Sequence, residues 1–278
     1  MYEVMFLFLL GLVWIVFASV EDIRTREVAN WICFSLAVFA LGFRFFFGLF
    51  EGNFSLFYQG LIGLVIFIIL GNLLYYSRMF AGGDAKLMMA LGAVLGVSTS
   101  FIENLKTYFL FLFLFLLTGA VYGLVMTFIV SFRNFKKFKK GFSKVFKEKK
   151  KIFFLFMFLG IAFVLFGFFE KMFFTLGVVI FAFSYLYIYA KAVDDFCMIK
   201  KIKVSELTEG DWLYKAVKVG NKKIEPIWDG VNKKEINLIK KYHKEIWIKY
   251  GIVFIPVFLI AYLIFFYFLS SGLWNAFW

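Results

Sequence analysis

Asp22 and Asp84 are the residues of this sequence best placed to do chemistry, because each carboxylate sits where a hydrophobic run meets a short polar segment. A charge there costs several kcal/mol in hydrocarbon and less near the interface, so an acid in such a place has a function or a partner. Two of them within reach of each other form a dyad: one carboxyl takes a proton from water while the other gives one to the bond being broken. Gly82 and Gly83 precede the second acid, and a backbone without Cβ atoms can turn sharply there and admit an extended peptide. Asp84 then opens a helix, whose exposed N–H groups receive its carboxylate. The plainer reading makes Asp84 an N-cap and Asp22 an interfacial charge paired with Arg24 or Arg26.

The elements that position these acids are membrane helices. Hydrophobic residues make up 63% of the chain and mean hydropathy is +0.86, far above a soluble domain. Apolar runs fall near 4–20, 30–50, 57–77, 85–97, 107–130, 152–169, 173–191 and 249–269, without the strand-period alternation of a barrel. The fold class is therefore an all-α polytopic membrane bundle of about eight transmembrane helices. One of the eight, 13 residues long over about 20 Å, is too short to cross alone and is expected to sit centrally.

Between residues 131 and 151, ten Lys or Arg stand against one Glu, which puts that segment in the cytoplasm. Alternation of the remaining spans then brings Asp22 and Asp84 to that same face and leaves the amino terminus outside. The net charge of +13 gathers in such loops, as topology-setting lysines do, so nucleic acid is not an expected partner. The first run follows Met1 without a basic stretch or cleavage site and is expected to be a retained helix.

The organisation expected is a catalytic transmembrane core over 1–130, a basic amphipathic segment over 131–151, a transmembrane hairpin over 152–191, a small cytoplasmic α+β domain over 192–248 and a last transmembrane helix over 249–278. Phe132, Phe135, Phe138, Phe142 and Phe146 among the lysines predict a helix lying on anionic lipid headgroups. In the α+β segment Asp211 to Val219 alternates as a strand, Gly220-Asn221 reads as a turn, Ile224 to Trp228 as a return, and Asn232 as the cap of a helix through Ile236, Leu238 and Ile239. Cys33 and Cys197 are too few for a disulfide framework or metal tetrad, and a metal site from His243, the single histidine, is not expected. Arg44 is expected to snorkel to the outer interface, with a functional role as its alternative, and Lys86 to the cytoplasmic one, with a role beside the acids as its alternative.

The string Ala18-Ser19-Val20-Glu21-Asp22-Ile23-Arg24-Thr25-Arg26-Glu27-Val28-Ala29-Asn30, followed after the third run by Gly82-Gly83-Asp84-Ala85-Lys86, resembles the type IV prepilin and archaeal preflagellin peptidases. These are membrane aspartic proteases with a Gly-x-Gly-Asp motif, here with Ala81 at its first position. The resemblance covers residues 10–135 and recurs faintly in Leu207-Thr208-Glu209-Gly210-Asp211 and Gly251-Ile252-Val253-Phe254-Ile255-Pro256. It implies that Asp22 and Asp84 are catalytic, that Gly82, Gly83 and Lys86 support them, and that no cofactor or metal is used. It further implies cleavage of a basic leader from prepilin-like or preflagellin precursors at the cytoplasmic membrane face. Six spans are usual in archaeal members, so the hairpin over 152–191 is additional. The bacterial enzymes' cysteine-rich insert is absent, which favours the archaeal type. From another class, an ion- or proton-coupled carrier could use both acids as cation sites, but carriers place such acids near the midplane on broken, repeated helices.

Overall fold

The computed structural model describes residues 2–220, 222–228 and 230–272. Nine α-helices and five short strands appear among them: α1 (Tyr2–Thr25), α2 (Asn30–Glu51), α3 (Ser55–Tyr76), α4 (Gly82–Leu95), α5 (Phe101–Arg133), α6 (Phe135–Phe166), α7 (Lys171–Ala192), β1 (Ile199–Lys203), β2 (Trp212–Leu213), β3 (Val217–Val219), β4 (Lys222–Ile224), α8 (Lys233–Tyr242), β5 (Glu245–Lys249) and α9 (Ile255–Ser270). The chain divides into two compact units, one formed by the sequence up to Gly123 and from Val253 onward, the other by Leu124–Ile252.

Each of the eight apolar runs meets a helix, although the last, expected from 249, is helical only from Ile255 because β5 takes the chain to Lys249. Five helices of the described residues (α1, α2, α3, α5 and α7) are long and apolar enough to cross a membrane. The protein is a multi-pass membrane protein. The other three runs fall short for separate reasons. α4 has 14 residues, α9 has 16, and the apolar arm of α6 is entered through Lys149, Lys150 and Lys151.

In the first unit α4 is buried along nearly its whole length, against α1, α2 and α3. A helix shorter than the ~30 Å hydrocarbon core is tolerated when protein surrounds it. Its tightest approach is to α3. A Cβ added to Gly63 would lie 2.4 Å from the Gly92 carbonyl oxygen, and one added to Gly92 would lie 2.4 Å from that of Gly63. Without a hydrophobic driving force between helices in lipid, such small-residue crossings let backbones gain van der Waals contact. Phe67, Leu87, Met88, Leu91, Phe111 and Phe258 complete the core around the crossing.

The second unit departs from the sequence reading at α6. The basic stretch and the apolar run after it form one continuous 32-residue helix, with no break at residue 151. Its Phe138, Phe142 and Phe146, expected to face lipid, are turned to protein instead: they pack with Val145, Phe153, Ile188, Ala192 and Phe196. Lysine is a good helix former, so nothing in the lysine run stops the helix, and α7 with the π turn Val193–Cys197 offers the phenylalanines a drier partner than lipid headgroups. Phe132 and Phe135 do stay exposed. α6 and α7 close on each other where a Cβ at Gly177 would meet the Val164 nitrogen at 2.5 Å.

The soluble part of this unit is a three-stranded antiparallel sheet in the order β1-β5-β2 beside the hairpin β3-β4. The single strand expected over Asp211 to Val219 is two, because β2 pairs with β5 while β3 pairs with β4. Gly220 at φ +61 makes the turn between β3 and β4, and Asn221 lies outside the described residues. Asn232 caps α8 as its sequence predicts, its side-chain oxygen accepting the Glu235 N–H at 3.0 Å while Glu235 returns to the Asn232 N–H at 2.9 Å.

Candidate active site

α1 carries Asp22 in its last turn. The helix ends because Arg26 adopts a left-handed conformation, φ +61, with its N–H bonded to the Asp22 carbonyl at 2.9 Å. The loop that follows is held on both sides. Glu21 Oε2 accepts the Ala29 N–H at 2.9 Å, and Asn30 Oδ1 accepts Lys86 Nζ at 2.7 Å. Lys86 therefore ties the start of α2 to the start of α4, where the sequence reading had it reaching toward the interface or the acids.

Asp84 is the third residue of α4. Its Oδ2 accepts the Ala81 N–H at 3.2 Å, the bond by which the third residue of a helix reaches back to the N-cap, so the N-cap is Ala81 and not Asp84 as the plainer sequence reading has it. The reversal that delivers it lies earlier than expected. Gly82 and Gly83 are already helical, neither has positive φ, and the left-handed residue is Arg78 at φ +63. A Cβ on Gly83 would meet Val28 at 3.4 Å, ordinary contact, so the glycines bring α4 close to the 26–29 loop without making the turn.

The two acids come together at one end of the bundle. Asp22 is 8% exposed and Asp84 9%, and the carboxylates are near enough to interact electrostatically. They do not hydrogen-bond each other. Asp22 Oδ2 instead accepts the Ile255 N–H at 3.0 Å, with the Phe254 N–H also directed at it, so the first acid is received by the N-terminus of α9. Both carboxylates thus rest at helix N-termini, where backbone donors and the helix dipole offset burial. Among the described residues no three His, Cys, Asp or Glu side chains gather as a metal site would require.

The far end of α4 is organised by a residue misread from sequence. Arg44, 1% exposed, does not snorkel. Nε donates to the Ala93 carbonyl at 2.9 Å, Nη1 to Leu56 at 2.9 Å, and Nη2 to Val94 at 3.1 Å and to Gly96. The last carbonyls of a helix have no intrahelical donors, and a guanidinium with five N–H groups supplies them better than interfacial water could. Gly60 makes the room, since a Cβ there would lie 2.5 Å from Arg44 Cδ.

Two groups beside Asp22 were not visible in sequence: the backbone of Phe254 and Ile255, and Tyr122, whose hydroxyl donates to the Val253 carbonyl at 2.9 Å. The signals were Pro256, a common first-turn residue at the head of the last apolar run, and the faint family resemblance over Gly251 to Pro256.

Residues 9–126, which include both acids, match the model of the type IV leader peptidase family. The chain is 28% identical over 158 residues to a preflagellin peptidase of Methanococcus maripaludis, covering 52% of this chain and 68% of that protein. It is 31% identical over 91 residues to the preflagellin peptidase of Methanococcus voltae and 26% over 88 residues to that of Methanocaldococcus jannaschii, covering 39% and 37% of those proteins. No solved structure matches the chain with significance.

Proposed function

We infer that this chain, which belongs to the type IV leader peptidase family through residues 9–126, is an aspartic endopeptidase that removes a short basic leader from preflagellin-like or prepilin-like precursors at the cytoplasmic membrane face. The observation that carries the reading is the pairing of Asp22 and Asp84: two largely buried carboxylates from α1 and α4, within electrostatic reach, inside the family-matched segment. The named relatives are preflagellin peptidases, which supports the substrate class.

In this reading water is the nucleophile. One carboxylate accepts its proton as the oxygen attacks the scissile carbonyl, and the other, protonated, donates to the carbonyl oxygen. The tetrahedral intermediate then collapses as a proton passes to the leaving amine. The leader approaches from the cytoplasm while the precursor's hydrophobic helix rests on the bundle, a geometry suited to two acids at one end of it. Gly83 lies against Val28 of the loop that follows Asp22, and Lys86 with Asn30 fixes that loop.

The test is incubation of the purified protein in detergent with a preflagellin precursor, reading leader removal by mass. Wild type cleaves, while Asp22→Asn and Asp84→Asn each reduce cleavage to background although both proteins extract and elute normally. Retention of substantial activity by either Asn variant sinks the dyad.

A further inference from the structure

We propose that Tyr122 is a positioning residue for Asp22, acting through the strip Val253-Phe254-Ile255 at the head of α9; the proposal rests on the assignment of Asp22 as one of the two catalytic acids. Each residue of the strip is held by a contact of its own. The Val253 carbonyl accepts the Tyr122 hydroxyl at 2.9 Å, and the Ile255 N–H donates to Asp22 Oδ2 at 3.0 Å. The Phe254 ring lies 5.9 Å from Phe115 and 6.0 Å from Phe80, centroid to centroid, and Phe80 sits in the connection that leads into Asp84. The strip therefore joins the approach to the second acid to the carboxylate of the first.

The donor that meets Asp22 is available for a simple reason. The first N–H groups of a helix lack intrahelical acceptors, and Pro256 has no N–H of its own. What remains to be fixed is where the Ile255 N–H points, and that depends on the two peptide planes before it. Tyr122 grips the Val253 carbonyl at the start of this short path, and the Phe254 ring grips its middle. The loss of the Tyr122 hydroxyl releases the carbonyl, the planes rotate, and Asp22 loses a fixed orientation toward the water it serves. Tyr122 stands within the family-matched segment while the strip lies beyond residue 126, so the C-terminal helix supplies part of the active end.

The experiment compares wild type with Tyr122→Phe, which removes only the hydroxyl, in steady-state leader cleavage. Loss of one positioning hydrogen bond is expected to lower kcat about three- to tenfold with KM unchanged. Phe254→Leu, which loosens the same strip from its side chain, is expected to show the same split. A wild-type kcat in Tyr122→Phe overturns the proposal, and so does a raised KM at constant kcat. If Tyr122→Phe does not fold, the outcome in Phe254→Leu decides. Asp22→Asn run in parallel separates the two readings. Activity in that variant removes Asp22 from catalysis altogether, whereas an inactive Asn variant beside a fully active Phe variant removes only the role of Tyr122.

Discussion

Arg44 donates its Nε hydrogen to the carbonyl of Ala93, 49 residues away in sequence, and so sets a guanidinium from α2 against the last turn of α4. A buried cation is costly unless its donors are satisfied, and here the acceptors are four carbonyls, three of them at the buried C-terminal end of α4. The stop fixes where α4 ends, 12 residues after Asp84 at the C-cap Gly96.

Arg44→Met leaves those carbonyls without donors and is expected to lower stability by about 3 kcal/mol, read as a fall in melting temperature in detergent. Arg44→Lys, with a single ammonium that cannot span the acceptors, is expected to lose nearly as much. An unchanged melting temperature in the Met variant contradicts the cap.

The glycines of the bundle are expected to separate sharply. Gly63→Ala puts a methyl 2.4 Å from the Gly92 carbonyl and must push α3 from α4, with a loss of about 2 kcal/mol or more. Gly83→Ala meets Val28 at 3.4 Å on a helical backbone and is expected to keep stability and cleavage within about twofold of wild type. Melting curves and cleavage rates of the two variants, side by side, decide.

Arg78 holds a left-handed conformation that costs a residue with a Cβ about 1 kcal/mol or more. Arg78→Gly relieves that cost and returns part of it as unfolded-state entropy, so a net gain of up to about 1 kcal/mol is expected. A loss of stability in this variant shows that the arginine side chain makes a compensating contact.

The membrane path of the α6–α7 hairpin is tested by single cysteines on exposed lysines. Lys139→Cys and Lys222→Cys are expected to react with impermeant reagent from the cytoplasmic side and Lys171→Cys from outside. Gly141 is a poor site for this, since any Cβ there strikes the Phe196 ring at 2.5 Å. If Lys171→Cys reacts only from the cytoplasm, the hairpin does not cross.

The parts of this protein legible in sequence are those fixed by local chemistry. Apolar runs gave helices, and Asn232 with Glu235 gave the capping box of α8. The two acids were legible because each stands at a break between runs. What sequence did not disclose depends on groups far apart in the chain. Ile255 reaches Asp22 across 233 residues through a backbone N–H that no side-chain pattern encodes. Arg44 looked like an interfacial cation because its partners are carbonyls, which every residue has. The break expected at residue 151 came from a change in composition, yet helix continuity follows backbone propensity and the packing of Phe138, Phe142 and Phe146, and both continue through the lysines.

That continuity has a mechanical consequence. α6 is a single rod of about 48 Å, and its lysine face from Lys136 to Lys147 is rigidly coupled to the apolar arm that ends at Phe166. No glycine pair, proline or bulge along it can act as a joint. Any displacement or tilt of the arm is transmitted undiminished to the lysines, as a lever transmits displacement, so the charged end of the helix moves whenever the apolar end does.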